Sequence, residues 1–227
     1  MSLLPNMADI HCRILRKVFR NYGYDMEMLT NTDQRVIDEG LKYVHNDTCY
    51  PALLTIGQIL SALKSGKYDV NRTAVMMTQT GDGCRASNYI HLLRKALKNS
   101  GMGHVPVISL NVAGLEKNSG FKITLPLLRR AIAALAYGDL LMLLNNQVKP
   151  YEVRKGESDE NTARWIDFIS DKFAQGRAYS QREIKSYFRQ IVESYAAIEV
   201  VKTPKVKVGI VGEIYVKYAA LGNNNLE

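Results

Sequence analysis

The stretch Val75-Met76-Met77-Thr78-Gln79-Thr80-Gly81-Asp82-Gly83-Cys84-Arg85-Ala86-Ser87-Asn88-Tyr89 decides how the chain is read. It opens as a short, largely apolar run of the kind that forms a buried strand. Two glycines break the run, and a helical pattern through Ile90, Leu93 and Leu97 follows. Strand, tight turn and helix make the repeating unit of a parallel α/β sheet. The glycines permit positive φ and close backbone approach, and Cys84 falls beside the N–H groups that open the helix, where an anionic sulfur is stabilised. Three meanings stand open for this turn. It is a βα loop with an incidental cysteine, a phosphate cradle of the Gly-x-Gly kind, or a metal or iron–sulfur ligand that needs companion cysteines. Neither a dinucleotide-fold spacing nor a Gly-Lys-Ser/Thr ending is present for the second.

Working outward, the same alternation recurs. Upstream, Leu3-Leu4 reads as a first strand; Ile10, Ile14, Leu15, Val18 and Phe19 recur at helical spacing, and Met26 to Met28 reads as a second strand. A short helix is expected from about Asp33 to Gly40. Asn46-Asp47-Thr48-Cys49-Tyr50-Pro51-Ala52 then opens another, with Pro51 tolerated in the first turn and an apolar face through Leu53, Leu54, Ile56, Gly57, Leu60 and Leu63. Downstream, Val105 to Leu110 is a fourth strand. The expected fold is therefore α/β, a parallel-sheet, Rossmann-like or flavodoxin-like three-layer domain over residues 1–204.

A helical extension over about 126–201 is expected to complete that domain. It comprises a nearly apolar helix from Pro126 to Val148, suited to a core or an interface, and two amphipathic helices, Asn161 to Gly176 and Ser180 to Val201. Ser180-Gln181-Arg182-Glu183 has capping-box form. Val206-Lys207-Val208-Gly209-Ile210-Val211-Gly212-Glu213-Ile214 reads as an apolar strand running into glycine. Residues 205–227 are thus expected to be either the start of a second α/β domain, cut short, or a last strand of the first.

Composition bounds the function. Thirty Lys and Arg against 22 Asp and Glu give a formal charge of +8. The two signs are nevertheless mixed along the chain without a basic stripe and interleaved aromatics, which argues against a nucleic-acid partner. No apolar run approaches the roughly 20 residues of a membrane span, and Met1-Ser2-Leu3-Leu4-Pro5 lacks the form of a signal peptide, so a cytoplasmic location without membrane association is expected.

The three cysteines, Cys12, Cys49 and Cys84, form no CxxC and are too widely spaced for a secreted disulfide framework. Any metal site must be assembled by the fold. Cys49 and Cys84 each precede a helix, the position that favours thiolate chemistry, whereas Cys12 inside the first helix reads as packing. His11, His45, His91 and His104 make no HxxH or HExxH pattern, no Ser-His-Asp arrangement is recognisable, and Asp82 reads as a solvated turn carboxylate. No catalytic residue is assigned.

The segments Lys42-Tyr43-Val44-His45-Asn46-Asp47-Thr48-Cys49-Tyr50-Pro51-Ala52 and Thr78-Gln79-Thr80-Gly81-Asp82-Gly83-Cys84-Arg85-Ala86-Ser87-Asn88-Tyr89 together resemble the bacterial proteins related to the activator and the iron–sulfur component of 2-hydroxyacyl-CoA dehydratases. Val107-Ile108-Ser109-Leu110-Asn111 and Gly209-Ile210-Val211-Gly212-Glu213 add to the likeness, which covers nearly the whole chain. The resemblance implies a paired-domain α/β protein whose domains contribute cysteines to a shared [4Fe-4S] cluster. It also implies an ATP-dependent activase as electron donor and an acyl-CoA substrate, dehydrated through a ketyl radical by a lyase to which this chain contributes one component. Carried onto this sequence, the cluster ligands are Cys49 and Cys84, with a third cysteine in the remainder of the two-domain protein. The alternatives are a non-catalytic partner-binding module using the helix at 126–148, and a CoA- or nucleotide-binding domain using the Gly81-Asp82-Gly83 turn.

Overall fold

The computed structural model describes residues 1–78, 85–110 and 124–226. In chain order the elements are β1 (Ser2–Pro5), α1 (Asp9–Arg20), β2 (Met26–Leu29), α2 (Gln34–Tyr43), α3 (Tyr50–Lys64), β3 (Ala74–Thr78), α4 (Tyr89–Asn99) and β4 (Val107–Leu110). There follow α5 (Leu125–Val148), α6 (Glu157–Ala174), α7 (Gln181–Ala196), α8 (Ile214–Tyr218) and α9 (Ala220–Asn223). The four strands among the described residues all pair in parallel, in the order β2-β1-β3-β4. The chain is an α/β protein with an all-parallel sheet and additional helices, the class expected from its sequence.

The chain divides into two compact units. The first comprises Met1–Met7, Tyr24–Lys122 and Val211–Glu227 and holds the sheet. On the central strand β3, Val75, Met76 and Met77 are buried in succession, the pattern of a strand covered on both faces. Leu3, Val75 and Met77 share a core with Ile56, Ile59, Leu60 and Leu63 of α3 and Ile90, Leu93 and Leu97 of α4. The strand order reverses between β1 and β3. In open parallel sheets the crevice beyond the carboxyl ends of such a pair is where ligands bind.

α3 buries every position from Pro51 to Leu60, not one face alone. The sheet lies on one side of it and α2 crosses the other, so closely that a Cβ on Gly57 would stand 2.0 Å from the Val36 carbonyl oxygen. Gln58, 1% exposed, donates its Nε2–H to the Asn31 carbonyl while Asn31 Nδ2 donates to the Gln58 carbonyl. This reciprocal pair ties the loop after β2 to the middle of the helix.

The strand expected over residues 206–214 does not form, and no further strand joins the sheet among the described residues. Alternating Lys and Val suits a pleated strand, but no sheet edge pairs with it. Val206 and Val208 are 90% and 79% exposed. At Glu213 the side chain instead caps Val216 N–H and opens α8. Tyr215, Ala219 and Leu221 then pack on Val36, Leu53 and Leu54 of α2 and α3.

The second unit comprises Ala8–Gly23 and Ile123–Ile210 and is helical. α1, read from sequence as the crossover helix between the first two strands, packs on α5 and α6. Tyr137 of α5, fully buried, meets Phe173 of α6 and Phe188 of α7 edge-on, with ring centroids 6.0 and 5.4 Å apart. Burial pushes the Tyr137 hydroxyl above its ordinary range. His11 is buried against Gly138 and donates Nε2–H to Asp139 Oδ1 at 2.9 Å. A Cβ at position 138 would stand 2.4 Å from His11 Cδ2. Gly138→Ala is therefore expected to displace the ring and cost about 2 kcal/mol, after the roughly 1 kcal/mol that alanine gains in a helix. An unchanged thermal midpoint would contradict this packing.

The capping box read at Ser180 is present. Ser180 Oγ accepts from Glu183 N–H at 3.3 Å, and the Glu183 carboxylate accepts from Ser180 N–H at 3.4 Å and from the Ser180 hydroxyl at 2.6 Å. That hydroxyl, outweighing the effect of partial burial, holds the Glu183 carboxyl below its usual range, with backbone N–H groups and Arg177 adding to it. The unfolded state thus binds the proton more readily. The stabilisation is present above the ordinary glutamate value and lost as pH falls through the lower folded value. Urea midpoints recorded from about pH 6 down to about pH 3 should fall less steeply in Glu183→Gln than in the parent chain. Parallel curves would contradict the assignment.

Candidate functional site at the carboxyl edge of the sheet

Cys49 is the residue before the first turn of α3. Its backbone is extended, at φ −60° and ψ 143°, and Pro51 follows within the first turn, where its missing N–H breaks no helical bond. The chain reaches this point through a tight turn, Thr48 N–H to His45 carbonyl at 2.9 Å, reinforced by Asp47 N–H to His45 Nδ1 at 3.2 Å. Ala52 N–H bonds the Cys49 carbonyl, while the sulfur makes no capping bond. The side chain of Cys49 is left to point elsewhere.

It meets Tyr89. Cys49 Sγ lies 2.8 Å from Tyr89 Oη, and both residues are half-buried. Tyr89 is the first residue of α4, the helix that follows β3. Because α3 feeds β3 at its C-terminal end, its N-terminus stands at the carboxyl edge of the sheet, and α4 begins at that edge too. One contact therefore joins the Cys49 segment to the helix that follows the glycine motif in the sequence. Tyr89 follows Cys84 by only five positions in the sequence.

Cys84 itself lies outside the described residues, as do Gly81, Asp82 and Gly83. Cys12 is half-buried in α1 and belongs to the helical unit. His45 Nδ1, which accepts the Asp47 N–H, also lies 3.4 Å from Asp47 Oδ2, and both side chains are exposed. Among the described residues no group of three His, Cys, Asp or Glu gathers as a metal site would require. Beyond the first turn of α3, Tyr215 packs on Leu53 and Leu54, and burial raises its hydroxyl above the ordinary range. The contact between Cys49 and Tyr89 was not legible in the sequence, since forty positions separate the two and only the fold brings them together.

What the described part of this site offers chemically is a sulfur held by a phenol at the edge where parallel sheets bind ligands. A thiolate at that place can ligate a soft metal or a cluster iron, but needs companion donors. No family model, no curated protein and no solved structure matches this chain.

Proposed function

We propose that this chain is an iron–sulfur protein related to the 2-hydroxyacyl-CoA dehydratases, contributing Cys49 and Cys84 as ligands to a [4Fe-4S] cluster. The observation that carries the reading is the 2.8 Å contact between Cys49 Sγ and Tyr89 Oη, which ties the first cysteine to the helix that follows the second. Cys49, the described member of the pair, fits such a group. Cys49 is half-buried, its sulfur is not spent on capping α3, and strand β3, which precedes Cys84 in the sequence, lies at the reversal of strand order. The Tyr89 hydroxyl is placed to donate to the Cys49 sulfur and fix its direction.

A bound cluster would supply one-electron chemistry, taking an electron from an ATP-dependent activase and passing it to an acyl-CoA in a dehydratase, a lyase reaction. Cys49, at the sheet edge, and Cys84 are the residues of this chain that would hold it, and the remaining ligand would come from the remainder of the two-domain protein. No described helix is long and apolar enough to cross a membrane, and a cytoplasmic setting, with thiols kept reduced, suits this chemistry. Anaerobic treatment with ferrous iron and sulfide in excess dithiothreitol, whose thiols can stand in for the ligand from outside this chain, followed by visible absorption and metal analysis, tests the reading. A broad thiolate-to-iron absorption that bleaches on reduction is expected, and a colourless, iron-free protein would sink it.

A further inference from the structure

α5 shows one face to the core of its helical unit and another to solvent. Leu127, Ala133, Ala134, Tyr137, Gly138 and Leu141 are buried. On the opposite face Leu125, Leu128, Ile132 and Leu135 are 60%, 40%, 58% and 45% exposed. Their spacing alternates three and four, the seam of a helix that pairs with another helix. Aliphatic side chains repeated this way in water are an unpartnered contact surface, not scattered surface leucines.

The charges beside the seam identify the occupant. Arg129 is exposed and has no ion-pair partner among the described residues, and Asp139, ten positions on, is 75% exposed beyond its bond to His11. Arg130 is occupied elsewhere, over the ring of Tyr179 at 4.5 Å. Two copies of α5 side by side in parallel would set Arg129 against Arg129 and Asp139 against Asp139. Two copies related by a two-fold axis and running antiparallel place Ile132 opposite Leu135 of the second copy and Leu125 opposite its Met142. That register sets Leu128 opposite the other chain's Asp139, the seam position that follows Leu135, and brings the neighbouring Arg129 beside that carboxylate. Such a seam runs about 26 Å at 1.5 Å per residue. The surface is self-complementary in one orientation only, as a two-fold interface requires.

We propose that the exposed face of α5 is the interface of a homodimer, built by antiparallel pairing about Ile132 and Leu135 and held in register by Arg129–Asp139 pairs between the two copies. The interface is independent of iron and of the proposed cluster. Sedimentation velocity on the metal-free chain over a range of concentrations tests it, with far-UV circular dichroism confirming the fold of every variant. The parent chain is expected to dimerise reversibly, and Ile132→Glu to be monomeric over the same range. Arg129→Asp and Asp139→Arg should each raise the dimer dissociation constant about tenfold, and the double reversal should restore it. A parent chain monomeric at every concentration would overturn the proposal and leave the face to a different protein or another segment. So would a dimer indifferent to Ile132→Glu. A double reversal no better than the single ones would overturn the antiparallel register.

Discussion

Gly57→Ala is expected to cost at least about 3 kcal/mol, enough to unfold a marginal domain. Where α2 and α3 cross, the added Cβ would stand 2.0 Å from the Val36 carbonyl oxygen and 2.8 Å from the Gly40 nitrogen. Both are backbone atoms, so no rotamer change relieves the clash. The helices must separate by more than an ångström. The neighbouring crossing point has the same character, since a Cβ on Gly40 would meet the Leu53 carbonyl oxygen at 2.5 Å. Separation would loosen the contacts of Val36, Leu53, Leu54 and Tyr215, all buried there. Alanine's helix propensity returns only about 1 kcal/mol. Urea unfolding followed by far-UV circular dichroism measures the loss, and a change below about 1 kcal/mol would show that the crossing is not this tight.

That crossing illustrates what the sequence does and does not disclose. Gly57 stands in an apolar run, so its helix was legible, but the run reads as one buried face because periodicity shows which residues are apolar and not how many neighbours a helix has. The four strands were legible for the same reason that α3 was, as short apolar runs bounded by turns. α6 begins at Glu157 and not at Asn161, because its first turn is wholly polar and is held by Glu152 accepting from Gly156 and Ser158 N–H groups. α1 displayed its apolar face through Ile14 and Val18 but not the identity of the helices covering it. The segment Val206 to Val211 failed in the other direction, since its alternation is strand-like and a strand exists only where an edge accepts it. Of the candidate site, Cys49 ahead of a helix was readable from Pro51 and the polar residues before it. Its neighbour Tyr89 was not, being set by tertiary structure alone.

Cys49→Ser is expected to abolish cluster iron while leaving the fold intact. Serine is among the best residues at the position it would occupy, able to accept a first-turn N–H that the cysteine sulfur leaves alone. The hydroxyl also keeps a polar neighbour for Tyr89. The stability change should stay within about 1 kcal/mol of zero in either direction. The loss of iron should be nearly complete, because an alkoxide is a poor substitute for thiolate toward cluster iron. A variant that unfolded would contradict the capping argument, and one that kept its iron would remove Cys49 from the ligand set.

The proposed function rests on Cys49 and Cys84 acting together as ligands. Its most direct test is the sulfide-bound iron per chain after anaerobic reconstitution in excess dithiothreitol, whose thiols can complete the coordination of irons the chain does not reach. Iron with acid-labile sulfide is expected in the parent chain and in Cys12→Ser, and none in Cys49→Ser or Cys84→Ser. Equal iron in all four proteins, or none in any, would contradict it.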